Sequence, residues 1–384
     1  MEKRRCIYIA LNPASHYSRG IHQGVADYFS TKSHDFELVM ALDERFVDMK
    51  RQPAGIIVIT SDLKSERIIQ KLGLPTVNVS SFLPSPKLPS VMTDKILTGH
   101  MAAEYLIDCR FHHFGYFGYH AHTTYLQSFT KTVKKAGYKS SAHLHSRLGV
   151  YEDFSSSEHR SIRQWLGKLP KPVGIFCSSD WEAWLLWNVC KTLDLQVGKE
   201  VGILGFGNDE LFCQACNPPL SSVENRPDII GAEAAALLFT MIRGRKPPAR
   251  PLLIPPSGIV HRASTDVLAS QNPYVIQALD FIRANIDRPL RIHHIAKTVA
   301  LSRRCLERRF QEELNHTVLE SIHVLRIERL KNLLISTSAR IEEIASICGY
   351  NDSSKMIRFF RQRTGIPPTQ YRARFRSSPP NSVK

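Results

Sequence analysis

The chain has 384 residues, 43% hydrophobic and 22% charged, which exceeds one ordinary core and points to two or three globular domains rather than disorder. Its formal charge of +16 is uneven: residues 271–384 carry 20 Lys and Arg against 10 Asp and Glu, and the first 270 carry 31 against 25. A polyanionic partner is expected at the basic end.

No stretch nears the ~18 apolar residues of a membrane span, and Asn12-Pro13 closes the run CIYIAL before it could be a signal-peptide core. A cytoplasmic protein is expected, and eight cysteines do not make a disulfide framework.

From the start, short apolar runs alternate with helical stretches. Strands are expected at Cys6–Leu11, Phe36–Met40, Gly55–Ile59, Thr76–Val79, Phe114–Gly118, Val173–Cys177 and Val201–Phe206. Amphipathic helices are expected at Gly20–Phe29, Leu63–Leu72, Lys95–Cys109, Tyr125–Ala136, Trp181–Leu193 and Asp228–Ile242. Continuous apolar strands between helices argue for parallel sheets covered on both faces, here as two α/β lobes. The Pro-rich stretch KPPARPLLIPP at 246–256 holds extended chain. It precedes a last strand at Ser257–Arg262 and a polar linker near Ser264–Pro273. Beyond that the pattern is helical throughout.

The helical part repeats itself. Ile295-Ala296-x-x-Val299-Ala300-Leu301-Ser302 aligns with Ile344-Ala345-x-x-Cys348-Gly349-Tyr350-Asn351, and Leu306-x-x-x-Phe310 aligns with Met356-x-x-x-Phe360. Each copy reads as helix, tight turn and second helix. Gly349 supplies the positive φ such a turn often needs, whereas Ala300 must manage without glycine. Between the copies, Val318, Ile322, Leu325, Ile327, Leu330, Leu333 and Leu334 mark a long linking helix. Such a helix can hold two reading helices for successive major grooves, ~34 Å apart. Their outer faces are basic: Arg303, Arg304, Arg308 and Arg309 in the first, Lys355, Arg358, Arg361 and Arg363 in the second. Arginine suits both phosphate clamping and bidentate contact with guanine.

Residues Leu290–Arg374 resemble the AraC-family DNA-binding domain. The stretch IEEIASICGYNDSSKMIRFFRQRTGIPPTQYR follows that family's C-terminal signature through Gly365, Pro368 and Tyr371. The resemblance implies base contacts from Arg304, Glu307 and Arg308 in the first unit and from Ser353, Ser354, Lys355 and Arg358 in the second. It implies phosphate contacts from Arg303, Arg361 and Arg372. Lys355-Met356 replaces a common aromatic pair, and Met can fill the ring's place in the core.

The segments GIFCSSDWEA, VGILGFGNDELFCQACNPPLSSV and IGAEAAALL resemble the effector domain of LacI/GalR-type repressors, related to periplasmic sugar-binding proteins. Together the two resemblances imply an α/β two-lobed periplasmic-binding-protein-like domain followed by an all-α double helix-turn-helix domain. The divisions expected are 1–265 for effector binding and dimerisation, 266–284 for the linker and first helix start, 285–376 for DNA binding, and 377–384 as tail. A small polar effector, a pentose such as xylose, would sit between the lobes and shift their hinge. Double-stranded promoter DNA is the macromolecular partner, with a homodimer and contact with RNA polymerase as further expectations.

Cleft candidates are Tyr17, Arg19, Tyr125, Asp180, Trp181, Asn208 and Asp209, which stand beyond strand ends or at motif positions. Asp180 has an alternative role as a helix cap, and the Trp181, Trp184, Trp187 stripe an alternative role in core packing. The chain departs from the family twice: Gly207 stands where many sugar binders have Asp, and Tyr125 where they have Arg. Those losses keep open a regulator whose amino-terminal domain is only a dimerisation scaffold.

Cys213 and Cys216 form a lone C-x-x-C without a second zinc pair, and His112-His113 and His293-His294 lack metal spacing. Hydrolase, zincin and P-loop signatures are absent, and Gly205-x-Gly207 runs into Glu210. Neither catalysis, a cofactor nor a metal is expected.

Overall fold

The computed structural model describes residues 5–32, 36–41, 53–83, 85–146, 156–266, 272–314 and 316–375. Residues 267–271 of the expected linker and the 377–384 tail lie outside the described residues.

The first lobe is a parallel sheet in the order β2 (Phe36–Ala41), β1 (Arg5–Ala10), β3 (Gly55–Val58), β4 (Thr76–Asn78). β3 reads GIIV and is buried along its length, as a strand covered on both faces must be. One face is covered by α1 (His16–Lys32) and the other by α2 (Leu63–Gln70), whose N-cap Asp62 accepts from Lys64 and Ser65.

The chain then passes through β5 (Val91–Thr93) and α3 (Lys95–Asp108) into the second lobe. There β6 (His113–Tyr119), α4 (Thr123–Lys135), β7 (Ser140–His145), α5 (Ser156–Lys168), β8 (Val173–Cys177), α6 (Asp180–Thr192), β9 (Val201–Phe206), α7 (Glu210–Ala215) and β10 (Ser221–Glu224) follow. α8 (Pro227–Ile242) returns to the first lobe and packs on α1. The approach is close: a Cβ at Gly24 would lie 1.8 Å from the Asp228 carbonyl oxygen, and one at Gly231 2.2 Å from that of Ile21. β11 (Leu252–Ile254) pairs in parallel with β5, and β12 (Gly258–Val260) joins the second sheet antiparallel to β10. That sheet runs β12-β10-β9-β8-β6-β7.

Every strand expected from an apolar run is present. Sequence reading passes over β5 and β10, strands of three and four residues, and over β7, whose SSAHLH has no apolar run because it is a half-exposed edge strand.

The helical domain has two cores. Val275, Leu279 and Ile282 of α9 (Pro273–Ala284) pack with Ile295 of α10 (Ile292–Thr298) and with Leu306 and Phe310 of α11 (Arg303–Leu314). Val318 and Ile322, at the start of the linking helix α12 (Val318–Ser336), complete this first core. Ile327, Leu330 and Leu334 of the same helix pack with Ile344 of α13 (Ile341–Ile347), Met356 and Phe360 of α14 (Ser353–Thr364) and Tyr371 of α15 (Pro368–Phe375). Met356 is fully buried and holds the core place expected of it. The two turns match the repeat, with Gly349 at φ +72° and Ala300 at φ +54°.

The second core also takes in Leu97 and Met101 of α3, so the two-lobed domain and the second helix-turn-helix unit share apolar side chains. Polar contacts ring that joint. Lys331 donates to Asp108 at 2.6 Å and stands 3.8 Å from Glu104. Burial opposes its charge, but the Asp108 and Glu104 carboxylates outweigh this and hold its pKa above the ordinary lysine value. Arg110 meets Glu320 at 2.8 Å. At the first unit, Arg283 donates to Asp266 at 2.5 Å and to His261 Nε2 at 3.0 Å. That leaves Nδ1–H of His261 to donate to the Tyr105 hydroxyl, 2.5 Å away.

Two expectations follow. An L-residue at positive φ costs about 1 kcal/mol, which glycine avoids. Ala300→Gly should therefore raise the resistance of the helical domain to urea, by about 0.5–1 kcal/mol; a loss of stability would show that the turn is not strained. The second concerns pH. Burial, with Arg283 next, draws the His261 pKa down to about 4, while an unfolded histidine titrates near ~6.5. Between those values the unfolded chain binds more protons, so stability falls as pH drops from 6.5 toward 4. His261→Phe should remove a pH-dependent loss on the order of 1–2 kcal/mol at pH 5. Parallel melting-temperature profiles for the two proteins between pH 7 and 5 would refute this.

Candidate effector cleft and nucleic-acid interface

The carboxyl ends of both parallel sheets converge on the space between the lobes, where ligands of open α/β sheets bind. From the first lobe come Tyr17, whose hydroxyl donates to the Val79 carbonyl at 2.8 Å, and Phe82, beyond β4. Phe82 crosses to the second lobe, stacking on His122 at 5.4 Å and meeting Tyr119 edge-on at 6.1 Å. Both partners follow β6 or end it, so the aromatic wall is built by two strand ends facing each other. Tyr125 lies behind it, 2% exposed, 5.5 Å from the His122 ring and 5.3 Å from that of Phe206.

Beneath the wall is a polar network. Glu182, in the first turn of α6, accepts from Ser178 Oγ and lies 2.7 Å from His145 Nε2 at the end of β7. Ser178 Oγ accepts in turn from the Tyr119 N–H at 3.2 Å and lies 3.3 Å from His122 Nδ1. With the serine proton on Glu182, His122 donates through Nδ1 and keeps Nε2 as an acceptor. Burial, then the charge of Lys95, holds its pKa well below the ordinary histidine value, so it is neutral.

Asp180 is fixed by its neighbours. Ser222 Oγ donates to it at 2.5 Å and the Asp209 N–H at 2.7 Å. The helix cap is Ser179, not Asp180. Burial raises the Asp180 pKa to about 6, against those two hydrogen bonds. Glycine at 205 leaves room for this carboxylate, since a Cβ there would lie 2.1 Å from Oδ1. Asp209 caps α7 by accepting from Leu211 at 3.1 Å. Asn208, at φ +54°, donates to Glu224 at 3.2 Å and accepts from Arg262 at 2.8 Å.

Two cleft candidates have their contacts elsewhere in this structure. Trp181 belongs to the apolar cluster beneath α6 with Phe117, Ile175 and Trp187, because the three-residue stripe is the buried face of that helix. Arg19 is exposed and folds back on the Pro13 and Ala14 carbonyls at 3.1 and 2.6 Å. Lys95, Phe82, His122, His145, Ser178 and Glu182 escaped sequence reading. Their only local signal is a position just past a strand, one shared with many structural residues.

On the helical domain, Arg304 and Arg308 stand exposed on one face of α11, and Ser354, Lys355, Arg358 and Arg361 are exposed on α14. The repeat offset of 50 superposes Arg308 on Arg358, so the two stripes present arginine at equivalent places. Arg303 is exposed at the start of α11, and Ser353 is half-buried at the start of α14. Three side chains are otherwise engaged. The Glu307 carboxylate accepts from the Val318 N–H at 3.3 Å, one of the unpaired donors at the start of α12. Arg309 lies 4.8 Å over the Tyr274 ring, packing α11 on α9. Arg372, expected at a phosphate, donates to the Ala339 carbonyl at 2.6 Å.

Residues 85–265 match the periplasmic binding protein-like domain family, and residues 295–374 match a helix-turn-helix domain family. The chain is 28% identical to the xylose operon regulatory protein of Haemophilus influenzae over 381 residues, 95% of this chain and 97% of that one. It is 26% identical to the protein of the same name from Escherichia coli K12, over 96% of this chain and 97% of that one. The solved structure of a xylose-binding transcription activator, xylR, aligns with a TM-score of 0.62 at 25% identity, covering 98% of this chain and all of that one. The transcription regulator CcpA of Lactococcus lactis shares the fold of the first part, with a TM-score of 0.57 at 18% identity over 68% of this chain and all of that one. The chain is a DNA-binding transcription regulator, a periplasmic-binding-protein-like domain followed by an AraC-type helix-turn-helix domain, similar along nearly its whole length to xylose operon regulatory proteins.

Proposed function

We propose that a sugar, with a pentose such as xylose as the first candidate, closes the cleft of residues 1–265 and changes the placement of two reading helices on tandem half-sites of promoter DNA. In this reading residues 266–284 connect the sensor to a reader at 285–376, and the protein works in the cytoplasm as a homodimer beside RNA polymerase. The observation that carries it is α3. Its first turn borders the cleft at Lys95, and Leu97 and Met101 of the same helix enter the core of the second reading unit. A change of lobe angle that moves α3 must also move α12 or break that core.

Tyr17, Tyr125, Asp180, Asn208 and Asp209 belong to the cleft in this proposal, joined by Phe82, His122 and Glu182. Arg304, Arg308, Ser353, Ser354, Lys355 and Arg358 face bases, and Arg303 and Arg361 face phosphates. The rival reading, a sensor turned scaffold, draws on Tyr125, a buried ring at the position where an arginine is expected.

Binding to DNA flanking its own gene, with and without D-xylose, tests the proposal. Specific binding that changes with D-xylose is expected; specific binding indifferent to any pentose or hexose would favour the scaffold. Arg308→Ala and Arg358→Ala should each cost about 1–3 kcal/mol on the specific site and relax base preference there. Arg361→Ala should weaken binding to all sequences alike and flatten its salt dependence. Indistinguishable behaviour of the three variants would sink the division into base and phosphate contacts.

A further inference from the structure

Lys95 is a buried cation with no carboxylate among its described neighbours. It is 8% exposed, and lysine is almost never buried so deeply unless paired. Its ammonium donates to the Ser81 carbonyl and lies 5.3 Å from the centre of the Tyr125 ring. Burial lowers its pKa only to about 8, so the group is still mostly charged at neutral pH. Ser81 follows the last strand of the first lobe and Tyr125 begins a helix of the second, so the charge sits where the lobes meet.

The acids around this cleft are already committed. Glu182 serves Ser178 and His145, Asp180 serves Ser222 and the Asp209 amide, and Asp94 caps α3 through the Leu97 N–H at 2.9 Å. A neutral sugar would find aromatic faces and the His122 acceptor, yet would leave Lys95 without a counter-charge. A ligand bringing its own anion would supply one, through the stronger, charge-assisted kind of hydrogen bond.

Resting on the reading of this domain as a sugar sensor, we infer that its effector is an anionic sugar derivative, a sugar acid or sugar phosphate, whose charged group pairs with Lys95. The aromatic wall of Phe82, Tyr119 and His122 then faces the uncharged part of the molecule.

Thermal denaturation of the full chain with D-xylose and D-ribose, against D-xylonate, D-glucuronate and D-ribose 5-phosphate, tests this. At least one anion should raise the melting temperature and bind tenfold or more tightly than its neutral counterpart. The two phosphate-free acids and the sugar phosphate separate carboxylate from phosphate as the source of charge. Lys95→Met should abolish that preference while the circular dichroism spectrum stays that of the wild type. Should that variant not fold, Lys95→Arg must retain the preference, and raising salt from about 50 to 500 mM must weaken anion binding but not neutral-sugar binding. Stabilisation by a neutral pentose, equal in wild type and Lys95→Met and without response to any anion, overturns the inference and leaves sugar sensing intact. No shift with any of the five compounds overturns both.

Discussion

Leu97 and Met101 on α3 pack among Ile327, Leu330, Phe360 and Tyr371, and this apolar contact makes the sensor and the second reading unit parts of one core. Lys331 between Glu104 and Asp108 fixes its register, since a lysine so enclosed must keep its carboxylates or leave the joint. The first reading unit has its own core, and among the described residues it meets the sensor through polar contacts at Arg110–Glu320, Arg283–Asp266 and Arg283–His261. The half-exposed Arg110–Glu320 pair holds position weakly, whereas a shared apolar core does not slide without exposing side chains. The two units are therefore fastened to the sensor by contacts of different kinds, one apolar and one polar, and α12 joins them.

The cleft follows from the same parallel topology. Strand ends bring Phe82, Tyr119, His122, Ser178 and Glu182 to one place, although they come from distant parts of the chain. Burial then sorts them. Carboxylates desolvated there are stabilised by hydroxyl and amide donors, and His122 stays neutral beside a charged lysine. Among the described residues, the acceptors of this site are largely satisfied within the protein, and Lys95 is held by the Ser81 carbonyl and the Tyr125 ring.

Three polar side chains of the helical domain have internal partners for a common reason. Glu307, Arg309 and Arg372 all lie in basic or polar helices where spacing alone puts them near an outer face. Each instead serves a neighbour that only the fold supplies: the Val318 amide, the Tyr274 ring and the Ala339 carbonyl. Trp181 illustrates the converse, because its three-residue spacing with Trp184 and Trp187 did mark a buried helix face.

The sequence by itself determined the two-part architecture. Apolar runs of strand length and a repeated helix-turn-helix pattern depend on periodicity, which is local and written in consecutive residues. Equivalent arginines on the two reading helices were legible for the same reason. Which side chains form the cleft, which polar groups are already satisfied, and how the reader is fastened to the sensor were decided only by tertiary structure. Those properties depend on contacts such as Lys331 with Asp108 and Phe82 with His122, between residues that no periodicity connects.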